Sequence, residues 1–320
     1  MRTTAPFELP PAQQKALHDA KRLEWLTIAY LTSVVIGMYL TVGSSQAMKA
    51  AWLEDMLSFI PPIAFLISAR VTRRKPDHRF PFGYQRATTI AYLVGALALL
   101  AFGVFLLTDS ALVLIRAEHP SIGTVAPFGE PLWLGWFMFP ALLWSAVPIL
   151  FIGRRKLKLA QKLHDKVLHA DAMMNKADWM TAGAALLGVI GIGFGLWWAD
   201  AVAASVISLD ILHDGVRHLR AAVGDLMDRT PRTVDYAHED PLPARLHDFL
   251  AQESWISDVQ VRVREEGHVY FADALVVPAK DRPIVGEIER TVDRARELDW
   301  RLHDLIIMPV ARLPAPSEAR

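Results

Sequence analysis

Six apolar stretches, at 25–42, 52–71, 87–107, 132–152, 180–198 and 199–219, restrict what this 320-residue chain can fold into. Each is near the roughly 20 residues that carry a helix across a bilayer. Hydrocarbon offers no partner for backbone polar groups, so such a stretch satisfies them internally as a helix. The fifth is expected to begin earlier, near Val167, and to carry its polar residues inward. Hydrophobic residues make up 52% of the chain although 21% is charged, and mean hydropathy is +0.24. That combination requires the charge to be segregated, and from Thr230 onward the apolar runs stop.

Orientation follows from the loops. Arg70, Arg73, Arg74, Lys75, Arg79 and Arg86 lie between the second and third stretches, and Arg154, Arg155, Lys156, Lys158 and Lys162 between the fourth and fifth. The other connections are poorer in Lys and Arg, so the positive-inside rule puts the basic loops and both termini in the cytoplasm. The expectation is a multi-pass protein of the bacterial inner (plasma) membrane. Its parts are a cytoplasmic segment 1–24, a six-helix transmembrane transport domain 25–229, a cytoplasmic α+β domain 230–312 and a disordered tail 313–320. Residues 1–24 are polar and lack the apolar run of a cleavable signal. The absence of cysteine excludes disulfides, thiolate metal sites and a redox switch. A formal net charge of zero says little about partners, and no nucleic-acid partner is expected.

The tail has its own pattern. Residues 241–253 have helical periodicity, and 257–264 alternate with Val259, Val261 and Val263 on one face. Residues 268–277 are strand-like, 284–298 helical, and 302–308 form a strand that Pro309 would end. The α-β-β-α-β order predicts a small α+β layer with helices on one face of a sheet. A domain of this size is near the lower limit for a self-sufficient core, which favours pairing with a second copy.

Polar residues inside the apolar stretches point to function, because ionisable groups in hydrocarbon are costly unless they are used. Glu54 and Ser58 are spaced i, i+4 and share a helix face, with Asp55 about 100° round; Pro61 and Pro62 then remove backbone donors just past the acidic cluster. The lesser alternative is that Glu54 and Asp55 occupy interfacial water at a helix end. In the fifth helix Asp171, Met174, Asn175 and Asp178 fall on one stripe. Carboxylates and an amide suit harder divalent ions and a thioether softer ones, although a methionine on an apolar helix is usually packing. Asp210 on the sixth helix reads as an auxiliary ligand, a proton carrier, or a structural hydrogen-bonding group for Ser205 or Ser208.

These residues resemble the cation diffusion facilitator family, metal/proton antiporters of six transmembrane helices with a cytoplasmic ferredoxin-like dimerisation domain. The resemblance covers residues 15–311. Its anchors are Gly43-Ser44-Ser45, Lys75-Pro76-Asp77 with Phe82-Gly83-Tyr84-Gln85-Arg86, His169-Ala170-Asp171 with Ala177-Asp178, Ala199-Asp200-Ala201 and Met227-Asp228-Arg229-Thr230-Pro231. The family's transport site, two Asp on the second helix and His plus Asp on the fifth in the zinc members, falls here on Glu54, Ser58, Met174 and Asp178. Asp55, Asp171, Asn175 and Asp210 are the further candidates as ligands or proton relay. A loop site would retain Asp77, with Tyr84 where a His would lie and His78 as a substitute. The metal positions of the soluble domain fall on Val259, Ala274 and Met308, which makes the tail a dimer clamp more than a sensor.

The resemblance implies a homodimeric exporter of a divalent ion (zinc, iron(II), manganese, cobalt or nickel) driven by protons, paired through residues 230–312, embedded in the lipid bilayer and without a prosthetic group. Loss of two standard ligand positions motivates the alternative of a non-transporting relative that acts as a structural or regulatory dimer partner. No nucleophile–base pair, phosphate loop or cofactor fingerprint indicates an enzyme. His164 with Asp165 reads as a solvated charge patch, and His268 and His303 as solvated surface histidines.

Overall fold

A computed structural model describes residues 7–41, 52, 55–117, 124–125, 132–133, 135–279 and 284–314. Glu54, the Gly43-Ser44-Ser45 anchor and most of the 313–320 tail lie outside the described residues. Helices α1 (Pro11–Thr41), α2 (Ile60–Val71), α3 (Arg86–Ile115), α4 (Gly135–Leu163), α5 (Lys166–Gly193) and α6 (Ala199–Leu226) form a bundle, with a short antiparallel pair, β1 (Thr124–Val125) and β2 (Leu132–Trp133), between α3 and α4.

Helix α1 starts well before the first apolar stretch. The reason is an inward stripe that runs unbroken through its polar part: Ala16, Ala20, Leu23, Glu24 and Thr27 are buried, as are Leu31, Val34 and Met38 beyond them. Ahead of α2, residues 55–57 are helical and Ser58-Phe59 form a turn. The helix restarts at Ile60 with proline in its first turn, where a missing N–H costs nothing. The apolar stretch at 132–152 opens in β2 and becomes helical from Gly135. Two helical segments, Pro11–Leu40 and Arg86–Ile115, are each long and apolar enough to cross a membrane on those grounds alone. Large apolar side chains also face outward along the bundle, among them Leu40, Ile67, Leu97, Phe151, Leu187 and Val206. An apolar exterior of this kind suits lipid better than water.

Helices α3 and α6 pack most extensively, and glycine permits it. A Cβ on Gly215 would stand 2.8 Å from the Leu100 backbone, and one on Gly103 would stand 3.0 Å from the Leu212 nitrogen. Small residues at crossings let membrane helices approach to backbone contact. The tightest core lies at the end of the bundle nearest the sheet domain, where Phe65, Tyr92, Leu163, Leu168, Ala222 and Tyr236 meet.

The C-terminal domain follows the expected order: α7 (Leu242–Ala251), β3 (Ile256–Glu266), β4 (Val269–Pro278), α8 (Val285–Arg296) and β5 (Leu302–Pro309). Strands β3 and β4 pair antiparallel, with Val259 opposite Val276. Strand β5 pairs parallel to β4, with Ala274 opposite Ile307, and α8 supplies the crossover that a parallel pair requires. Leu242, Leu246 and Leu250, at i, i+4 and i+8, lay α7 on the sheet. Trp255 Nε1 donates to Thr291 Oγ1 at 3.1 Å, tying β3 to α8.

The domain is locked onto the bundle by buried polar groups. Lys166 Nζ, at the start of α5, lies 2.9 Å from Asp225 Oδ2 on α6 and 2.7 Å from Glu265 Oε2 on β3. The Tyr236 hydroxyl also donates to Asp225. Gly267, in the β3–β4 turn with φ +66°, presses so close that a Cβ there would stand 2.6 Å from the Gln85 carbonyl oxygen.

This contact overturns the expectation of a solvated His164–Asp165 patch. Both residues are buried. Tyr270 Oη donates to Asp240 Oδ2 at 3.0 Å, so at 2.9 Å it accepts from His164 Nε2. Asp165 Oδ1 accepts from the Leu168 N–H at 2.9 Å and so caps α5. His268 is likewise not a solvated surface histidine: its Nδ1 donates to the Leu163 carbonyl at 3.1 Å, and its Nε2 lies 3.4 Å from Asp165 Oδ2.

Candidate metal-transport site

One stripe of α5 carries Asp171, Met174, Asn175 and Asp178, and all four are buried. Opposite it, the turn before α2 presents Ser58 and the preceding short helix presents Asp55, both also buried. Ser58 Oγ donates to Asp178 Oδ1 at 2.8 Å, joining the two elements on which the sequence placed the site. Asp55 and Asp178 are within electrostatic range of each other and of Tyr30.

Several polar atoms here have no hydrogen-bond partner: Asp178 Oδ2, Asp55 Oδ2, Asn175 Nδ2 and Asp171 Oδ1. A buried carboxylate oxygen without a donor is expensive, and native structures rarely retain one without a use. A seat that held a divalent cation at the Asp55 and Asp178 carboxylates would give those oxygens a partner. Among the described residues no three His, Asp or Glu side chains stand close enough to share one ion. Such a seat therefore draws on hydroxyl, amide or backbone oxygen besides Asp55 and Asp178.

The other candidates have different surroundings. Met174 packs in an apolar cluster with Leu99, Phe102, Leu106, Ala177 and Ile211. Asp171 is engaged by Lys156, whose Nζ lies 2.6 Å from Asp171 Oδ2 and 2.9 Å from Glu24 Oε2; all three side chains are fully buried. Asp210 is half-exposed and pairs with Lys176 at 3.1 Å. In the loop, Asp77 Oδ1 accepts from the Arg79 and Phe80 N–H groups, each at 2.8 Å, and Oδ2 accepts from Tyr84 Oη at 2.6 Å. Those bonds, the Tyr84 hydroxyl first, hold its carboxyl below the usual range. Asp77 thus organises its own loop, and His78 beside it is exposed.

Glu24 and Lys156 are the members of this region that sequence reasoning missed. Lys156 belongs to a basic run and Glu24 to the polar N-terminal segment, yet each sits on the inward stripe of its helix. Ile149, Ile152, Lys156, Ala160 and Leu163 are all buried at helical spacing. That register was the available signal.

Residues 25–227 match the cation efflux transmembrane domain. The chain belongs to the cation diffusion facilitator family. This facilitator is 29% identical over 281 residues to the manganese efflux system protein MneS of Bacillus subtilis (strain 168), covering 85% of this chain and 90% of that protein. It is 26% identical over 269 residues to the magnetosome protein MamB of Magnetospirillum gryphiswaldense, covering 80% and 84%. It is 24% identical over 211 residues to a cadmium, cobalt and zinc/H(+)-K(+) antiporter of Bacillus velezensis, covering 64% and 61%. Cation efflux facilitators are membrane transporters and not enzymes.

Proposed function

We propose that this chain exports a divalent transition-metal ion from the cytoplasm by metal/proton antiport, with manganese(II) as the first ion to test. The observation that carries the reading is the Ser58–Asp178 contact across α2 and α5, with Asp55 close by and one oxygen on each carboxylate lacking a partner. Oxygen and amide donors favour the harder divalent ions, and MneS is named as a manganese efflux protein. Glu54 would complete the seat from the segment preceding Ser58. Metal ligands must be deprotonated, so protons arriving from outside displace the ion and reset the carrier. Alternating access requires two conformations that differ in which side reaches Asp178. Six spanning helices, cytoplasmic termini and a homodimer paired through residues 230–312 complete the proposal.

The test is flux in proteoliposomes under an imposed pH gradient, comparing manganese, zinc, iron(II), cobalt, nickel and cadmium, with Asp178→Ala in parallel. The expected result is manganese-dependent flux coupled to protons and abolished by the substitution. Folded protein that moves no ion would favour a non-transporting role.

A further inference from the structure

A cavity of about 530 Å³, lined by none of the candidate ion ligands, lies where the start of α1 and the end of α2 meet the segment before α3 and the β3–β4 turn. Its volume is within the usual range for a small-molecule site. Lys21, Arg73 and Lys75 line it, together with His18, against the single carboxylate of Glu8. Among the described residues, none of the three cations has a carboxylate within ion-pairing distance, in a structure that pairs many of its other cations. Lys21 gives one hydrogen to the Ala69 carbonyl at 3.3 Å, and it is close enough to Arg73 for the two charges to repel. His268 also lines the cavity, but both its nitrogens are committed to Leu163 and Asp165. The cavity is thus an unneutralised cationic recess with an apolar flank formed by Leu9, Leu17 and Ala69.

We infer that this recess binds a phosphate group. Arg offers a planar fork of donors that matches phosphate, and Lys acts as a point charge. Basic recesses between membrane helices at the cytoplasmic face recognise anionic headgroups. An anionic lipid headgroup and a soluble phosphate ester present the same chemistry. A phosphate between Lys21 and Arg73 removes their repulsion and joins α1 to the segment following α2. The inference rests on the proposed orientation, which labelling of the termini in sealed vesicles tests separately.

The experiment is native mass spectrometry of the full-length protein, titrated in one arm with phosphatidylglycerol against phosphatidylcholine and in the other with inorganic phosphate. Lys21→Gln/Arg73→Gln is compared with wild type and with Arg154→Gln/Lys158→Gln, which removes two exposed charges outside the recess. The expected result is binding that prefers the net-anionic phosphate probe to zwitterionic phosphatidylcholine, weakened at least tenfold by the first pair and unchanged by the second, with the unfolding midpoint retained. Selectivity confined to the lipid arm assigns the headgroup; equal binding of inorganic phosphate assigns a soluble ester. Equal losses in the two double variants, or no preference for either anionic probe over zwitterionic phosphatidylcholine, overturn the inference. Vesicle labelling that inverted the orientation would leave the binding result intact, so the two failures are distinguishable.

Discussion

Lys156 reaches Asp171 at 2.6 Å inside the bundle, with neither side chain touching solvent. Glu24 completes the group from α1, so three helices meet at one ammonium. Breaking a buried pair on one side leaves an uncompensated charge, whereas replacing the whole group with neutral side chains is often tolerated.

The triad is expected to hold helices and not the ion. Lys156→Met alone should destabilise the protein by about 3–5 kcal/mol. Combining it with Glu24→Gln and Asp171→Asn should recover most of that loss and leave metal affinity within about threefold of wild type. Thermal unfolding in detergent and metal titration of the same samples check both halves. A triple variant that is stable but no longer binds metal would return Asp171 to the ligand set.

Ser58 should tune the site while Asp178 creates it. A hydrogen bond to a charged group contributes about 1.5–3 kcal/mol. Ser58→Ala is therefore expected to weaken metal affinity by roughly tenfold and to spare maximal flux, in contrast to Asp178→Ala. Isothermal titration with manganese(II), alongside the flux assay, separates the two. Equal loss in both would make Ser58 a direct ligand.

The joint between domain and bundle should respond to acid. Burial alone would push the Glu265 carboxyl up, but the Lys166 ammonium and His164 hold it below its ordinary value of 4.5. Asp240 follows the same logic, with burial opposed by Arg301. Because both folded values are depressed, the stability they contribute is present above about pH 4.5 and is lost as pH falls through the folded values. Protection from hydrogen exchange along β3 and β4, corrected for the intrinsic pH dependence of amide exchange, should fall over that range, and Lys166→Met should already lower it at neutral pH.

Gly267→Ala should loosen the docked hairpin. Its positive φ and the 2.6 Å approach to the Gln85 carbonyl leave no room for a methyl group, so a loss of about 1–3 kcal/mol is expected. Limited proteolysis between α6 and α7 is the check; an unchanged cleavage rate would mean that the turn can shift aside.

The soluble domain was legible because short-range patterns specify it. The i, i+4, i+8 leucines of α7 and the alternating valines of β3 each bury one face, and Pro309 ends β5. The α5 stripe was legible for the same reason, and its pairing with α2 followed from Ser58 and Asp178. Which stripe residue does what was not legible. Asp171 and Asp178 are both aspartates on one face, and only the fold brings Lys156 from α4 to one and Ser58 to the other. The partner of Asp210 was not legible either, because Lys176 reaches it from the adjacent helix. The burial of Lys156 and Glu24 was not legible from their charge; it shows only in the register in which each sits on its helix.

The Gly267 turn has a mechanical consequence. It rests on the start of α3, while Lys166 clasps the start of α5, the end of α6 and the end of β3. A joint pinned at several points by buried contacts transmits motion without slack. Tilting of α3, α5 or α6 and swinging of the sheet domain are then a single degree of freedom, and whatever restrains the domain also restrains the helices.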